Sequence, residues 1–287
     1  MQRSKLYRLN KKRIRNWLGP DLVKLIQKIV SLILKPRLTY ASKSWATEIP
    51  EDLRNGWNSE SLIDTKLKNW KRVVSICESP GPLGFSYENE DLLSLKDVSF
   101  HNIHITFGYI LALATRMKNK ISILDWGGGM GHYYLLAKAL VPDVELDYHC
   151  VEVPNMVNLV KNINKDVKWY SDKTFLHRKF DIVMVNASLQ YVRDWKDFIS
   201  EISSVTTEYF FLTRIPVVEQ SQEFLAVQRE GNVLMLHIQF NLFELIKTIE
   251  SNNFQLLREF VVGDKPFIKS APEQCELRGW LFKKINK

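Results

Sequence analysis

The chain has 287 residues, with 40 Lys and Arg against 32 Asp and Glu, and a formal net charge of +8. Its 45% apolar and 25% charged shares exclude a disordered chain, and 12 Gly with 10 Pro exclude a collagen-like fibre. Three cysteines (Cys77, Cys150 and Cys275) lie far apart, which argues against a disulfide-stapled secreted fold and for a reducing, cytoplasmic compartment.

The charge is unevenly placed. Residues 1–37 hold eleven Lys or Arg and one acid, Asp21, whereas the remaining 250 residues hold 29 basic and 31 acidic side chains. The body is slightly acidic, and the whole excess lies on an N-terminal arm. Within that arm residues 22–35 read as an amphipathic helix. Lys24, Gln27, Lys28, Ser31 and Lys35 share one face, Pro20-Asp21 suits a helix start and Pro36 a stop. The lysines break the apolar stretch, so it falls short of the roughly 20 apolar residues that span a bilayer. A long basic run with no small-residue cleavage site does not read as a signal peptide. Two readings fit the arm: an interfacial helix on anionic lipid at the inner face of the membrane, or a helix docked on its own domain or on a partner subunit in an oligomer. A nucleic-acid partner fits less well, because the basic surface does not continue into the body.

Residues 38–99 form an accessory segment. A helix is expected over 59–78, then the breaker Ser79-Pro80-Gly81-Pro82, and then a loop or lid over 83–99. Its aromatics (Trp45, Trp57, Trp70, Phe85 and Tyr87) suit core filling first and stacking on a flat substrate second.

From residue 100 to 287 helices and strands alternate. Helices are expected at 100–117, 132–140, 154–163, 194–203 and 241–252. Strands are expected at 121–125, 146–152, 167–170, 180–187, 208–214, 255–262 and 277–284. Such alternation predicts an α/β fold, Rossmann-like, with a mostly parallel seven-stranded sheet covered on both faces. Two final strands with no helix between them predict an antiparallel last strand. Ligands of such sheets lie beyond the carboxyl ends of the strands, where the strand order reverses.

The turn after the first of these strands reads Asp125-Trp-Gly127-Gly-Gly129-Met-Gly131-His132. A dinucleotide fingerprint would need Gly where His132 stands, and a carboxylate at Asp125 would repel a pyrophosphate but favour a cationic cofactor. The next strand ends in Glu152, about 20 residues on, where an acid can accept both ribose hydroxyls.

With Asp125, Gly127, Gly129, Gly131 and Glu152 in that order, residues 121–284 resemble the class I S-adenosylmethionine-dependent methyltransferases. The resemblance implies that Glu152 holds the ribose, that Ser171 and Asp172 lie by the adenine, and that Asn186 lies near the methionine part. More narrowly, D-W-G-G-G-x-G, V-E-x-P (Val151 to Pro154), S-L-Q-Y (Ser188 to Tyr191) and T-R-I-P (Thr213 to Pro216) resemble a little-characterised family of bacterial methyltransferases of surface-polysaccharide loci.

The acceptor has to be read from the residues. Asn186-Ala187-Ser188-Leu189 stands where amine-methylating nucleic-acid enzymes carry N/D-P-P-Y, which weakens a base-methylating reading. A hydroxyl acceptor needs a nearby proton acceptor, and His suits neutral pH. His132 beside the glycine turn and His237, expected in a loop after the fifth strand, are the candidates, while His101 and His104 could face the same cleft. Tyr191 and Arg214, near the ends of the fourth and fifth strands, suit acceptor groups, the Arg a carboxylate or phosphate. No His, Cys or carboxylate cluster has metal-ligand spacing. The sequence thus predicts O-methylation of a sugar hydroxyl in a glycan or glycolipid precursor. A catalytically silent binding module and a nucleic-acid methyltransferase recruited by the arm are the alternatives.

Overall fold

The structure, a computed structural model, describes residues 37–43, 56–85 and 97–285. The arm helix expected at 22–35 and residues 86–96 of the expected lid lie outside the described residues.

Strand β1 (Leu38–Ser42) precedes helix α1 (Glu60–Cys77), which turns Ile63, Trp70, Val73 and Cys77 inward at helical spacing. Helix α2 (Val98–Thr115) starts at Asp97, whose Oδ1 accepts from the Ser99 and Phe100 amides at 3.0 and 3.2 Å. It buries Ile103, Phe107, Ile110, Leu111 and Ala114. Then follow β2 (Lys120–Trp126), α3 (His132–Leu140), β3 (Glu145–Val151), α4 (Pro154–Val160), β4 (Lys168–Tyr170), β5 (Phe180–Asn186), α5 (Trp195–Val205) and β6 (Thr206–Val218). The chain continues with β7 (Phe224–Glu230), β8 (Val233–Asn241), α6 (Leu242–Ser251), β9 (Phe254–Val261), β10 (Ile268–Lys269) and β11 (Glu276–Lys284).

The seven expected strands stand in the order β4-β3-β2-β5-β6-β11-β9. Pairs from β4 through β6 are parallel, and β11 lies antiparallel between β6 and β9. This is a Rossmann-like α/β sheet with a reversed last strand. The chain runs outward from β2 to β4 on one side and from β5 to β6 on the other, so the order reverses between β2 and β5. Successive residues bury opposite faces. Ile182 and Met184 join the core beneath α1, α2 and α3, and Val183 and Val185 join the core beneath α5 and α6. Each fully buried side chain of this size contributes about 1.5–3 kcal/mol.

Two expectations need correction. The segment between β6 and α6 is a hairpin rather than a loop: β7 and β8 pair antiparallel from Phe224–Gln239 to Glu230–Val233 around Gly231-Asn232. Alternating apolar residues on both sides of a Gly-Asn turn were the sequence signal for it. In addition, β6 does not end at 214 but runs on to Val218, where Val217 and Val218 pair in parallel with Phe240 and Asn241 of β8. Strand β6 therefore belongs to the main sheet and to a smaller one, β8-β7-β1-β10. Strand β1 pairs antiparallel with β7 and parallel with β10, which ties the accessory segment to the body. No described helix is long and apolar enough to cross a membrane.

Candidate active site

The carboxyl ends of β2, β3 and β5 converge on a cavity of about 600 Å³. Its floor is the glycine turn. Gly127, Gly129 and Gly131 have φ of 74°, 64° and 79°, a region that residues with a Cβ rarely enter. Gly128 is fixed by contact instead: a Cβ there would lie 2.3 Å from Asp125 Oδ2 and 2.6 Å from Cys150 Sγ.

Asp125 is fully buried beneath this turn. Its Oδ2 accepts from the Tyr148 hydroxyl at 2.9 Å, while Oδ1 has no hydrogen-bond partner. Burial pushes its carboxyl up to about 7, with the Tyr148 bond opposing and the Glu152 charge adding to the rise. Glu152 is held from both sides: Oε1 accepts from the Gly129 amide at 2.7 Å and Oε2 from the Val153 amide at 2.9 Å. Asn186 ends β5 and donates through Nδ2 to the Tyr133 hydroxyl at 2.8 Å. Burial raises the Tyr133 phenol strongly, and Asp125 adds to that.

Ser171 lines the cavity after β4, but Asp172 does not. The Asp172 carboxylate instead caps the short turn 173–177, accepting from the Thr174 amide and hydroxyl. That is the ordinary use of an Asp at a turn start, and of the two residues expected by the adenine only Ser171 is in the cavity lining. Gly129 and Gly131 shape the turn without lining the cavity.

Other lining residues are basic and aromatic. His132 opens α3 and lines the cavity, 5.7 Å from the His104 ring centroid and 6.0 Å from that of Phe85. Burial lowers its proton affinity well below the usual value, and the fields of His104, Lys66 and Arg214 act the same way. His104 is stacked on Phe85 at 4.6 Å and bonded through Nδ1 to the Leu83 carbonyl at 2.6 Å; burial lowers it to about 4. His101 accepts from the Leu83 amide through Nδ1 at 3.2 Å and stays outside the cavity lining. Together the two histidines pin residue 83 onto α2.

Tyr191 faces the cavity from the turn 189–191, its ring edge-on to Trp57 at 5.3 Å and its hydroxyl on Gln228 Oε1 at 2.6 Å. Arg214 also lines the cavity, from within β6 rather than from its end. His237 lies in strand β8, not in a loop, and outside the cavity lining. Its ring meets Tyr191 edge-on at 5.4 Å, its Nδ1 meets Gln239 Nε2 at 2.6 Å, and burial lowers it to about 3. The position suits packing behind Tyr191 rather than contact with a substrate.

Several lining residues went unassigned from sequence. Trp57 arrives on the turn 56–58, which closes against β8: a Cβ on Gly56 would lie 2.3 Å from Met235 Cγ. Lys66 is buried with its Nζ 5.1 Å from the Trp57 ring. A lysine inside the apolar stripe of α1 was its only signal. Ser188 supports the floor, donating to the Trp126 carbonyl at 2.9 Å and packing where a Cβ on Gly127 would sit 2.6 Å away. Among the described residues no cluster of three His, Cys, Asp or Glu could hold a metal.

The residues present fit S-adenosylmethionine. An unsatisfied buried carboxylate oxygen at Asp125 suits a cation, the fixed Glu152 carboxylate keeps lone pairs for a diol, and the left-handed glycines let backbone approach the ligand.

No protein-family model matches the chain, and no curated protein sequence matches it. Solved structures do resemble it. Magnesium protoporphyrin IX methyltransferase from Synechocystis, with S-adenosylmethionine bound, is 13% identical, with 84% of this chain and 100% of that one covered at a TM-score of 0.49. An S-adenosylmethionine-dependent methyltransferase from Clostridium acetobutylicum is 14% identical over 68% and 96% of the two chains, at 0.45. The 1,6-didemethyltoxoflavin-N1-methyltransferase of Burkholderia thailandensis, with its substrate and S-adenosylhomocysteine, is 12% identical over 86% and 95%, at 0.47. At such identities the likeness is one of fold.

Proposed function

We propose that the chain is an S-adenosylmethionine-dependent methyltransferase that O-methylates a sugar hydroxyl in a glycan or glycolipid precursor. The observation that carries the reading is the pair Asp125 and Glu152 at the glycine turn, opening into a cavity that His132, Tyr191, Arg214 and aromatic rings also line. Bound there, the cofactor would supply the electrophilic methyl group. Glu152 would accept from the ribose hydroxyls, Ser171 would lie by the adenine, and Asp125 and Asn186 would face the methionine part. Methyl transfer is an in-line displacement, so the protein acts chiefly by alignment. Trp57, Phe85 and Tyr191 offer faces on which a sugar ring can stack. His132, kept uncharged by burial, is the proposed acceptor of the hydroxyl proton. The basic arm is proposed to bring this body to anionic lipid at the cytoplasmic face of the membrane, where lipid-linked precursors reside.

Calorimetry with S-adenosylhomocysteine tests the cofactor reading. Binding that is lost in Asp125→Ala is expected, and no binding at millimolar ligand sinks it. A binding module without catalysis would instead keep its partner or membrane binding in Glu152→Ala and turn over no acceptor.

A further inference from the structure

Arg214 lies at an irregularity in the central sheet. Opposite β11 the register slips: Arg278 pairs with Ile215 and Trp280 with Leu212, so Gly279 alone faces both Thr213 and Arg214. This is a β-bulge, and Arg214 takes φ of 57°, the left-handed region that residues with a Cβ seldom occupy. Gly279 makes it possible, because a Cβ there would lie 3.1 Å from Thr213 Oγ1 and 3.2 Å from the Leu212 carbonyl. Bulges of this kind re-aim a side chain, and strained backbone that persists in a well-packed sheet concentrates where ligands bind.

The side chain so aimed enters the cavity with its guanidinium carbon 4.7 Å from the Phe100 ring centroid. Nε is buried and has no hydrogen-bond partner, and no hydrogen bond or ion pair joins the guanidinium to any described residue. Its positive field acts on His104, His132 and Tyr133, which line the same chamber. The acids that line the cavity among the described residues, Asp125 and Glu152, belong to the glycine turn and the end of β3. A planar fork held over an aromatic face, with a desolvated N–H unanswered, matches one ligand chemistry: an oxyanion taken through two parallel hydrogen bonds.

We infer, resting on the methyl-transfer reading of the same cavity, that the acceptor carries an oxyanion, a carboxylate or a phosphate, and that Arg214 is the residue that selects it. The aromatic walls take the ring of the acceptor while Arg214 fixes its charged end, which sets the hydroxyl to be methylated against the cofactor end of the cavity.

The full-length chain saturated with S-adenosylhomocysteine would be titrated with D-glucuronate, with inorganic phosphate and with neutral methyl glucoside. Glucuronate or phosphate is expected to bind at least about tenfold tighter than the glucoside, and the pattern of the two tells a carboxylate from a phosphate. Arg214→Gln is expected to erase that preference. Arg214→Gly, which relieves the left-handed backbone, is the control for folding: it should melt no lower than wild type and lose the preference too. The inference is overturned if neither anion binds more tightly than the glucoside, or if both variants keep the preference. Failure of S-adenosylhomocysteine itself to bind removes the methyl-transfer reading as well. Binding of the cofactor product without anion preference removes this inference alone.

Discussion

Among the residues that line the cavity, Asp125, Gly127, Gly128 and Glu152 come from the ends of two adjacent strands and the turn between β2 and α3. A second group, Trp57, Lys66, Phe100, Tyr191 and Arg214, comes from five separate elements spread between positions 57 and 214. The first group is set by local backbone geometry: left-handed glycines, a buried acid and two amides on one carboxylate. The second exists only once α1, α2, the turn at 56–58 and the bulge in β6 have packed together. A chemistry that must stay fixed, such as cofactor binding, suits the first kind of construction. A specificity that differs between relatives suits the second, because each contributing element can change without disturbing the others.

The largest expected effect tests how far the acidic group is committed to a cation. The Asp125 carboxyl is raised from 3.8 to about 7, chiefly by burial. A raised native-state value favours the folded protein at acid pH, and that contribution is lost as pH climbs from about 4 to 7. The loss is on the order of 4 kcal/mol for the unliganded chain. Denaturant melts of wild type and Asp125→Asn across that window should diverge accordingly, and parallel curves would remove the linkage. S-adenosylmethionine, a cation, should bind more tightly above about pH 7 than below it, and Asp125→Asn should flatten that trend.

Next in size is Gly128→Ala. A Cβ 2.3 Å from Asp125 Oδ2 forces apart a carboxylate and a turn that are packed on Tyr148 and Cys150. A cost of about 1–3 kcal/mol in stability is expected. Binding of S-adenosylhomocysteine should fall beneath detection in the same calorimetric titration. Unchanged binding would mean that the floor tolerates a methyl group and that the cofactor sits elsewhere.

The second group predicts the reverse sign. Arg214→Gly should stabilise the chain by about 1 kcal/mol, since the residue sits at φ of 57°. A rise in melting temperature with impaired acceptor binding would mark the arginine as kept for function at the expense of stability. A fall would mean that its stacking on Phe100 outweighs the backbone strain. The smallest effect is expected at His237→Gln. His237 lies behind Tyr191 and outside the cavity lining, so methyl transfer should stay within about twofold of wild type. A loss of a hundredfold would return this histidine to the catalytic centre.

These two groups also differ in how far the sequence disclosed them. Asp125, the three spaced glycines and Glu152 could be read directly, because strand period, turn chemistry and distance along the chain all act locally. The seven-stranded order with its reversed last strand was legible for the same reason. The hairpin β7–β8 rests on Gly231-Asn232 between two alternating runs, a two-residue signal that is weak beside the long helix–strand alternation around it. Asp172 shows the limit of such reading: an acid after a strand looks the same in sequence whether it meets a ligand or, as its Thr174 bonds show, caps the next turn. For Arg214 the sequence discloses the residue type but not the geometry. The bulge that aims it depends on Gly279, 65 positions further on, and no local pattern announces such a pairing. Lys66 and Trp57 face the cavity through tertiary packing alone.

The two amide bonds on Glu152 have a consequence for recognition. A carboxylate free to rotate would lose that freedom when a ligand arrived, at a cost of about 0.5–1.5 kcal/mol for a flexible side chain. Here Gly129 and Val153 hold one oxygen each, 2.7 and 2.9 Å away, through amides of the fold itself. Ordering has already taken place during folding. What remains on each oxygen is a second lone pair with a set direction, so in its proposed role this acid would meet a pair of vicinal hydroxyls as a rigid template and discriminate by fit rather than by adjustment.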